Sequence, residues 1–487
     1  MKNVRTLFSH LKRKRLTVTP TTTETRITYE LQSAVDGSPR VKVTSANSSD
    51  IQRAIEDAQL AQQVWYNDYS AQERARILSK ASSILSCRLD EVAQIEVMDT
   101  GRCISEIRTN DIPSAIHMLS YYAHLPGILS HGSVQDVHLS LLSYTHREPL
   151  GVTVGIGAWN FPFLNTVSKS APALIFGNSM LYKPSELTPS SALILADIYR
   201  EAGLPEGVFQ VLLGDGNVAA EMIHTEHVRK ISFTGSVETG KKIYKNAAEK
   251  MQKVTLELGG KSPLIIMPDC DIDRAVQGAI DANFYANGQV CSNGTRVYVH
   301  ESIKDDFLAT LVHQTEQLKV GDPMDEATMI GPMVSKDHMN KVLEYIRIGK
   351  EDDGATLLYG GEKLNSNGNF ITPCIFVDCH DHMRIVQEEV FGMLMSVLTF
   401  QDDDEVVARA NATKFGLAAG IYTNDIAKAL RLSKKLEVGN VYINTYNDGP
   451  CELPWGGMKQ SGIGREGGSL EALYEWTECK SVYVKID

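Results

Sequence analysis

Apolar positions along this chain recur with two different periods. Between residues 49 and 65, Ile51, Ile55, Ala58, Ala61 and Trp65 fall three or four apart, which places them on one helix face. Ser49 precedes Asp50 and Ile51, with Gln52 three residues on, and this marks a capping-box start for that helix. Further helices are expected over 72–89 and 111–124. Alternation over 27–43, around the turn Asp36-Gly37-Ser38-Pro39, predicts a pair of strands instead. Residues 131–144 also read as strand.

From residue 151 the pattern changes. Gly151-Val152-Thr153-Val154-Gly155-Ile156-Gly157 is apolar at nearly every position, as strands covered on both faces are. A helix over 169–176, a short strand over 180–183 and a helix over 190–202 follow. That last helix stops at Gly203, with Pro205 beyond. Strands come next at 208–213 and 230–233. After residue 254 the alternation restarts, with strands at 254–258, 263–267 and 295–299 around a helix at 273–286. Strands alternating with helices in this way predict βαβ units and doubly wound sheets, an α/β chain with a second α/β domain starting near Gly259-Gly260.

Composition narrows the classes. A chain of 487 residues exceeds one ordinary core, so two or three domains are expected. No apolar run approaches the roughly 18 residues that cross a bilayer, so no membrane partner is expected. The net charge of −12 argues against a general nucleic-acid surface, which needs a basic stripe. Eight cysteines are scattered without a CxxC pair, so neither a metal site nor a disulfide framework is expected. Free thiols of this kind fit a reducing compartment, with cytoplasm as the default. The first 24 residues stand apart. Lys2, Arg5, Lys12, Arg13, Lys14 and Arg15 precede the first acid, Glu24, while Val4, Leu7, Phe8 and Leu11 would share a helical face. This is the composition of a mitochondrial transit peptide or of a solvated tail, and the mitochondrial matrix stays open as the alternative location.

Two turns carry the chemistry. Phe284-Tyr285-Ala286-Asn287-Gly288-Gln289-Val290-Cys291 ends an apolar run in a glycine turn and delivers a thiol. Leu256-Glu257-Leu258-Gly259-Gly260-Lys261 delivers a carboxylate from a buried strand in a similar way. A thiol that attacks and a carboxylate that activates water together suggest covalent catalysis. Asn160, in Trp159-Asn160-Phe161-Pro162, can donate to a developing oxyanion, or simply cap its turn. Gly235 and Ser236 follow a strand and open a helix, a place where phosphate binds and equally where a helix is merely capped. Lys183 and Glu186, in Lys183-Pro184-Ser185-Glu186, end a strand where ribose hydroxyls can be bound, or form a surface ion pair.

Taken together and in order, these motifs resemble the NAD(P)-dependent aldehyde dehydrogenase superfamily from about residue 29 to the end. Glu388-Glu389-Val390-Phe391-Gly392 resembles its second cofactor motif. Pro454-Trp455-Gly456-Gly457-Met458-Lys459-Gln460-Ser461-Gly462 and Gly464-Arg465-Glu466 resemble its late substrate-side motif. The resemblance implies Cys291 as nucleophile, Asn160 as oxyanion donor and Glu257 as the base that hydrolyses the thioester. It implies NAD as cofactor, with Ile156, Trp159, Lys183, Glu186, Gly235, Ser236, Glu389 and Phe391 around it. The implied architecture is a Rossmann-type cofactor domain over 25–129 and 148–259, a catalytic domain over 260–460, and an oligomerisation element over 130–147 and 461–487. Dimers or tetramers would follow.

Within the superfamily the chain looks closest to the betaine-aldehyde, aminoaldehyde and 4-trimethylaminobutyraldehyde dehydrogenases. Arg147-Glu148-Pro149-Leu150-Gly151, Lys169-Ser170-Ala171-Pro172 and Cys291-Ser292-Asn293-Gly294-Thr295-Arg296 read that way. A cationic aldehyde needs an aromatic box and a nearby acid. Trp455, Phe161 and Tyr285 are the expected box and Asp111 the acid. Several positions depart from the pattern. Ser168 stands where many of that subfamily have tryptophan, Ser114 where a second acid is common, and Met393 where proline is usual. A general aliphatic or aromatic aldehyde is therefore the alternative substrate.

Overall fold

The computed structural model describes residues 27–127, 132–138 and 141–486. The basic segment 1–24 lies outside them.

Five buried, β-rich segments build the first sheet. From one edge the order is Lys253–Glu257, Val228–Thr234, Val152–Ile156, Ser179–Lys183 and Phe209–Val211, all parallel. The two-residue strand Gly462–Ile463 closes that edge antiparallel, beside Glu257 and Leu256. Residues alternate across the pleat, so each face takes its own helices. Met180 and Tyr182 point into a core with Leu119, Phe163, Val167 and Leu174. Val152, Val154, Leu181 and Ile231 point the other way, against Ile51, Ile55, Met222 and Ile243. Chain order reverses between Val152–Ile156 and Val228–Thr234, and ligands of doubly wound sheets sit in the crevice beyond such a point. Both loops there carry expected site residues: Trp159 and Asn160 after the first strand, Gly235 and Ser236 after the second.

The second domain repeats the principle around a seven-stranded sheet. Its order is Thr356–Gly360, Cys374–Val377, Leu394–Phe400, Arg296–His300, Pro263–Ile266, Ala418–Tyr422 and Asn440–Ile443, parallel except for the first pair. A third, antiparallel sheet joins Val134–His138, Leu141–Pro149 and Thr477–Lys485.

Several boundaries differ from the sequence reading, and the helix expected over 169–176 already starts at Pro162, running Pro162–Ile175. The first long helix is Ser48–Asn67, capped by Asn47 and not Ser49. Asn47 accepts from the Asp50 N–H at 2.9 Å and the Asp50 carboxylate accepts from the Asn47 N–H, so the box sits two residues earlier. Expected strand 131–144 is a hairpin ending in Leu141–Pro149. Residues 461–476 do not join the small sheet: Gly462–Ile463 belongs to the first sheet, and Ala472, Leu473 and Trp476 fill its core. Only Thr477–Lys485 pairs with the hairpin.

Candidate active site

Cys291 sits at the end of a backbone held far from its preferred conformation. The helix Ile272–Phe284 stops, and Ala286, Asn287 and Gly288 follow with φ of 51°, 56° and 70°. Two consecutive non-glycine residues in the left-handed region cost energy and persist only where surroundings over-determine them. Here they do. The Asn287 amide donates to Gly101 O at 3.2 Å and Pro332 O at 2.9 Å, and its oxygen accepts from the Gly331 N–H at 2.8 Å. Gln289 accepts from the Val334 N–H at 3.0 Å. Gly288 must be glycine, because a Cβ there would come within 2.4 Å of the Gly392–Met393 backbone. The thiol is thus delivered half-buried on a rigid loop. Burial, then the carboxylates of Glu389 and Glu257, push its pKa up to about 12.

Glu257 ends the strand Lys253–Glu257 and is buried, and neither carboxylate oxygen has a hydrogen-bond partner. Burial, reinforced by Glu466, raises its pKa well above the usual carboxylate range against Lys169 and Arg465. Gly259 and Gly260 explain how the chain continues. A Cβ at Gly259 would strike the Glu389 carboxylate, and one at Gly260 would come within 2.7 Å of Cys291 O. This turn therefore lets three elements converge. The Gly260 N–H donates to Glu389 Oε1 at 3.1 Å, while burial lifts Glu389 to about 7.

Asn160 is buried where the first strand's loop meets the cysteine loop, and its amide donates to Gln289 O at 2.9 Å, two residues from the thiol. On the crevice side, Trp159 packs edge-on to Phe391 with ring centroids 5.1 Å apart, and to His338 at 4.9 Å. His338 Nε2 donates to Phe391 O at 2.7 Å, which helps hold Phe391 at its positive φ of 64°. Burial depresses His338 to about 4, so the ring is neutral. Ile156 ends its strand with little exposure. Lys183 is buried with Nζ 3.1 Å from Glu186, whose carboxylate reaches solvent. Ser236 caps the helix Val237–Glu249 through the Thr239 N–H. A Cβ at Gly235 would run into the Phe233 ring, so only glycine leaves this helix start open.

These features fit a dinucleotide. Hydroxyl-binding groups lie at one strand end, an open helix N-terminus beside them, a fixed carboxylate at Glu389, and an aromatic wall at Trp159 and Phe391.

The substrate wall differs from expectation. Asp111 is buried, but Arg102 already binds both its oxygens. Arg102 also lies 4.2 Å over the Phe161 ring and 5.4 Å from the Tyr285 ring, and the Tyr285 hydroxyl donates to Asp111 at 3.1 Å. Phe161 and Tyr285 stack at 6.4 Å as expected of a box, yet its occupant is a residue of this chain. Asp111 is therefore no open acid. The Ser168 hydroxyl donates to Glu466 Oε2 at 3.2 Å. Trp455 packs on the second domain's core, and its strand pairs with Glu466. A Cβ on its neighbour Gly456 would come within 2.9 Å of Glu257 Oε1, which puts this segment on the Glu257 side.

Sequence reasoning passed over Arg102, His338 and the Lys169–Glu466 pair. Lys169 Nζ lies 2.5 Å from Glu466 Oε1 and 2.7 Å from Thr234 Oγ1, and Ser232 donates to the same carboxylate at 2.8 Å. Burial works against the Glu466 charge, but Lys169 and these hydrogen bonds outweigh it and hold its pKa below normal. A signal existed: Lys169 adjoins the apolar stripe Phe163, Val167, Ala171 and Leu174, and a buried lysine demands a partner. Among the described residues, His117, Cys451 and Glu452 could together approach a metal ion, but His117 and Glu452 already pair at 2.6 Å. No helix of the described residues is long and apolar enough to cross a membrane.

Residues 21–482 match the model of the aldehyde dehydrogenase family. Solved structures agree over nearly the full length. An aldehyde dehydrogenase from Bacillus cereus, in complex with NAD+, is 38% identical with a TM-score of 0.92, covering 95% of this chain and 94% of that one. An indole-3-acetaldehyde dehydrogenase of P. syringae, also in complex with NAD+, is 37% identical at 0.91, over 94% and 93%. A gamma-glutamyl-gamma-aminobutyraldehyde dehydrogenase from Burkholderia cenocepacia is 36% identical at 0.91, over 94% of each. A match of this extent means that the chain belongs to the aldehyde dehydrogenase family.

Proposed function

We propose that this enzyme oxidises an aldehyde to its carboxylic acid with NAD, through a thioester on Cys291. The observation that carries the reading is Glu257: a buried carboxylate, both oxygens unpartnered, in the field of the one thiol that the strained loop presents. The Cys291 thiol loses its proton to solvent water, and its thiolate adds to the aldehyde carbon, whose C=O bond opens to an oxyanion. The second N–H of the Asn160 amide and the Cys291 backbone N–H hold the resulting oxyanion. NAD, when bound, supplies the hydride acceptor. Lys183 and Glu186 would hold its adenosine ribose, Gly235 and Ser236 its pyrophosphate, and Glu389 its nicotinamide ribose. Phe391, Trp159 and Ile156 would wall the rings. Glu257 then takes a proton from water, which adds to the thioester carbonyl and expels the thiolate.

Residues 25–129 and 148–259 would form the cofactor domain and 260–460 the catalytic domain. The hairpin with Thr477–Lys485 would join copies into a dimer or tetramer. It exposes Val134, Tyr144, Tyr483 and Val484, which supports such a role.

Two substrate readings remain. The motifs near Cys291 and Lys169 favour an aminoaldehyde or trimethylammonium aldehyde. Arg102, seated on Asp111, favours an uncharged one. Purified protein with NAD and a panel of both kinds should form NADH. Cys291→Ala should reduce turnover to below about a thousandth of wild type, as loss of a nucleophile does. A Cys291→Ala enzyme that still turns over would sink the assignment.

A further inference from the structure

Recognition of a quaternary ammonium group needs aromatic faces and an acid. This site has both, at Phe161, Tyr285 and Asp111, but Arg102 fills them. The route by which it does so is built into the backbone. The helix Leu89–Thr100 ends at Gly101, whose φ of 76° turns the chain inward. A Cβ at Gly101 would come within 2.8 Å of Pro332 O, and the Gly101 carbonyl is held by Asn287 of the cysteine loop. Arg102 comes next and has no exposed surface. Residues Ile107–Asp111 then wind as one π-helical turn. Such a turn takes in an extra residue and rotates the helix beyond it, and π turns recur at functional sites. Here it ends on Asp111, which meets the guanidinium in a two-pronged pair.

The guanidinium's other partners complete the seat. One nitrogen donates to the Tyr285 hydroxyl at 3.2 Å and lies 3.6 Å from Glu106. The other approaches the backbone carbonyl of Asn160 at 3.4 Å. Arg102 Nε has no partner. Burial disfavours the charge, but Asp111, then Tyr285 and Glu106, overcome it, so the guanidinium stays ionised. Glu106 adds only part of a further negative charge at neutral pH, because burial lifts its own pKa to about 7. Arg102 and Asp111 therefore cancel.

From this we infer that Arg102 is a specificity-determining residue that closes the pocket to cationic aldehydes and leaves it to aldehydes with an uncharged aliphatic or aromatic body. An incoming trimethylammonium group would find the acid taken and the Phe161 face covered. An apolar body needs only the remaining aromatic surface. Removing Arg102 while keeping Asp111 should convert the wall into a cation site.

This inference rests on the oxidation proposed above, and one experiment separates the two. Specificity constants with NAD are measured for 4-trimethylaminobutyraldehyde and its uncharged isostere 5,5-dimethylhexanal. NADH from either supports the reaction, and NADH from neither would sink reaction and inference together. Wild type should favour the uncharged aldehyde at least tenfold. Arg102→Met should shift the ratio at least tenfold towards the cation, and Arg102→Met with Asp111→Leu should move it back. The double variant removes both members of the Arg102–Asp111 pair and guards against a single variant that does not fold. A wild type that prefers the trimethylammonium aldehyde overturns the inference. So does an Arg102→Met enzyme with an unchanged ratio.

Discussion

The two walls that converge near Cys291 treat charge in opposite ways. On the substrate wall, Arg102 and Asp111 answer each other, with Tyr285 bonded to both. On the hydrolytic wall, Glu257 is buried without one hydrogen bond, while Glu466 nearby is met by Lys169, Ser232 and Ser168. The two glutamates have pKa values displaced in opposite directions. The difference teaches how this protein divides labour. Groups whose bonding capacity is used up are fixed in place, and the group left unsatisfied keeps the capacity to exchange a proton. Titratable pairs driven apart by their surroundings are where acid–base roles reside.

The largest test of that division is to disable the unsatisfied member. Glu257→Gln keeps volume and removes the base, so turnover should fall about 10²- to 10⁴-fold, the usual worth of general-base catalysis. A rapid burst of about one NADH per site should survive, because acylation precedes the role assigned to Glu257. Stopped-flow absorbance checks this, and a vanished burst would assign Glu257 to an earlier step.

A smaller effect concerns the thiol. Its pKa of about 12 leaves little thiolate in the unliganded enzyme at neutral pH. Alkylation of Cys291 by iodoacetamide should therefore quicken about tenfold for each pH unit, roughly 100-fold from pH 7 to 9, since thiolate is the reacting form. Mass spectrometry of the labelled peptide would track it. A rate already level by pH 8 would contradict an enclosed, unactivated thiol.

The smallest is thermodynamic. Glu257 has a folded pKa above its unfolded value, so the native state binds the extra proton. Its stabilising effect is complete below the ordinary carboxylate range and is lost as pH rises through the raised folded value. Each unit in that window costs the wild type about 1.4 kcal/mol, whereas glutamine does not titrate. Glu257→Gln should hence unfold at a higher temperature than wild type at pH 8, by a margin that narrows towards pH 5. Melting curves at the two values decide it, and a constant margin would mean that Glu257 is not desolvated.

Where the candidate residues fall along the chain was legible before the fold. Cys291, Glu257 and Asn160 sit in motifs whose glycines and strand context announce themselves, and the structure brings them to neighbouring loops. What the motifs did not carry was the state of each partner. Asp111 reads as an available acid in a linear sequence, because nothing beside it says that Arg102 turns back onto it. Nothing in the linear sequence around Ser168 says that its hydroxyl lies on Glu466, 298 residues away. The capping error at Ser49 is of another kind, since Asn47 and Ser49 are both good caps and only side-chain geometry chooses.

The sequence alone determined the α/β alternation and the two sheet-building repeats, and it set Cys291, Glu257 and Asn160 at turns, because periodicity and turn residues act locally along the chain. Tertiary structure alone decided which charges are cancelled and which are left exposed to chemistry. Lys169 finds Glu466 297 residues later, Arg102 finds Asp111 through a π-helical turn, and Glu257 finds no one. Burial and pairing depend on which elements pack together, and in a buried site those two properties fix what a carboxylate or a guanidinium can do.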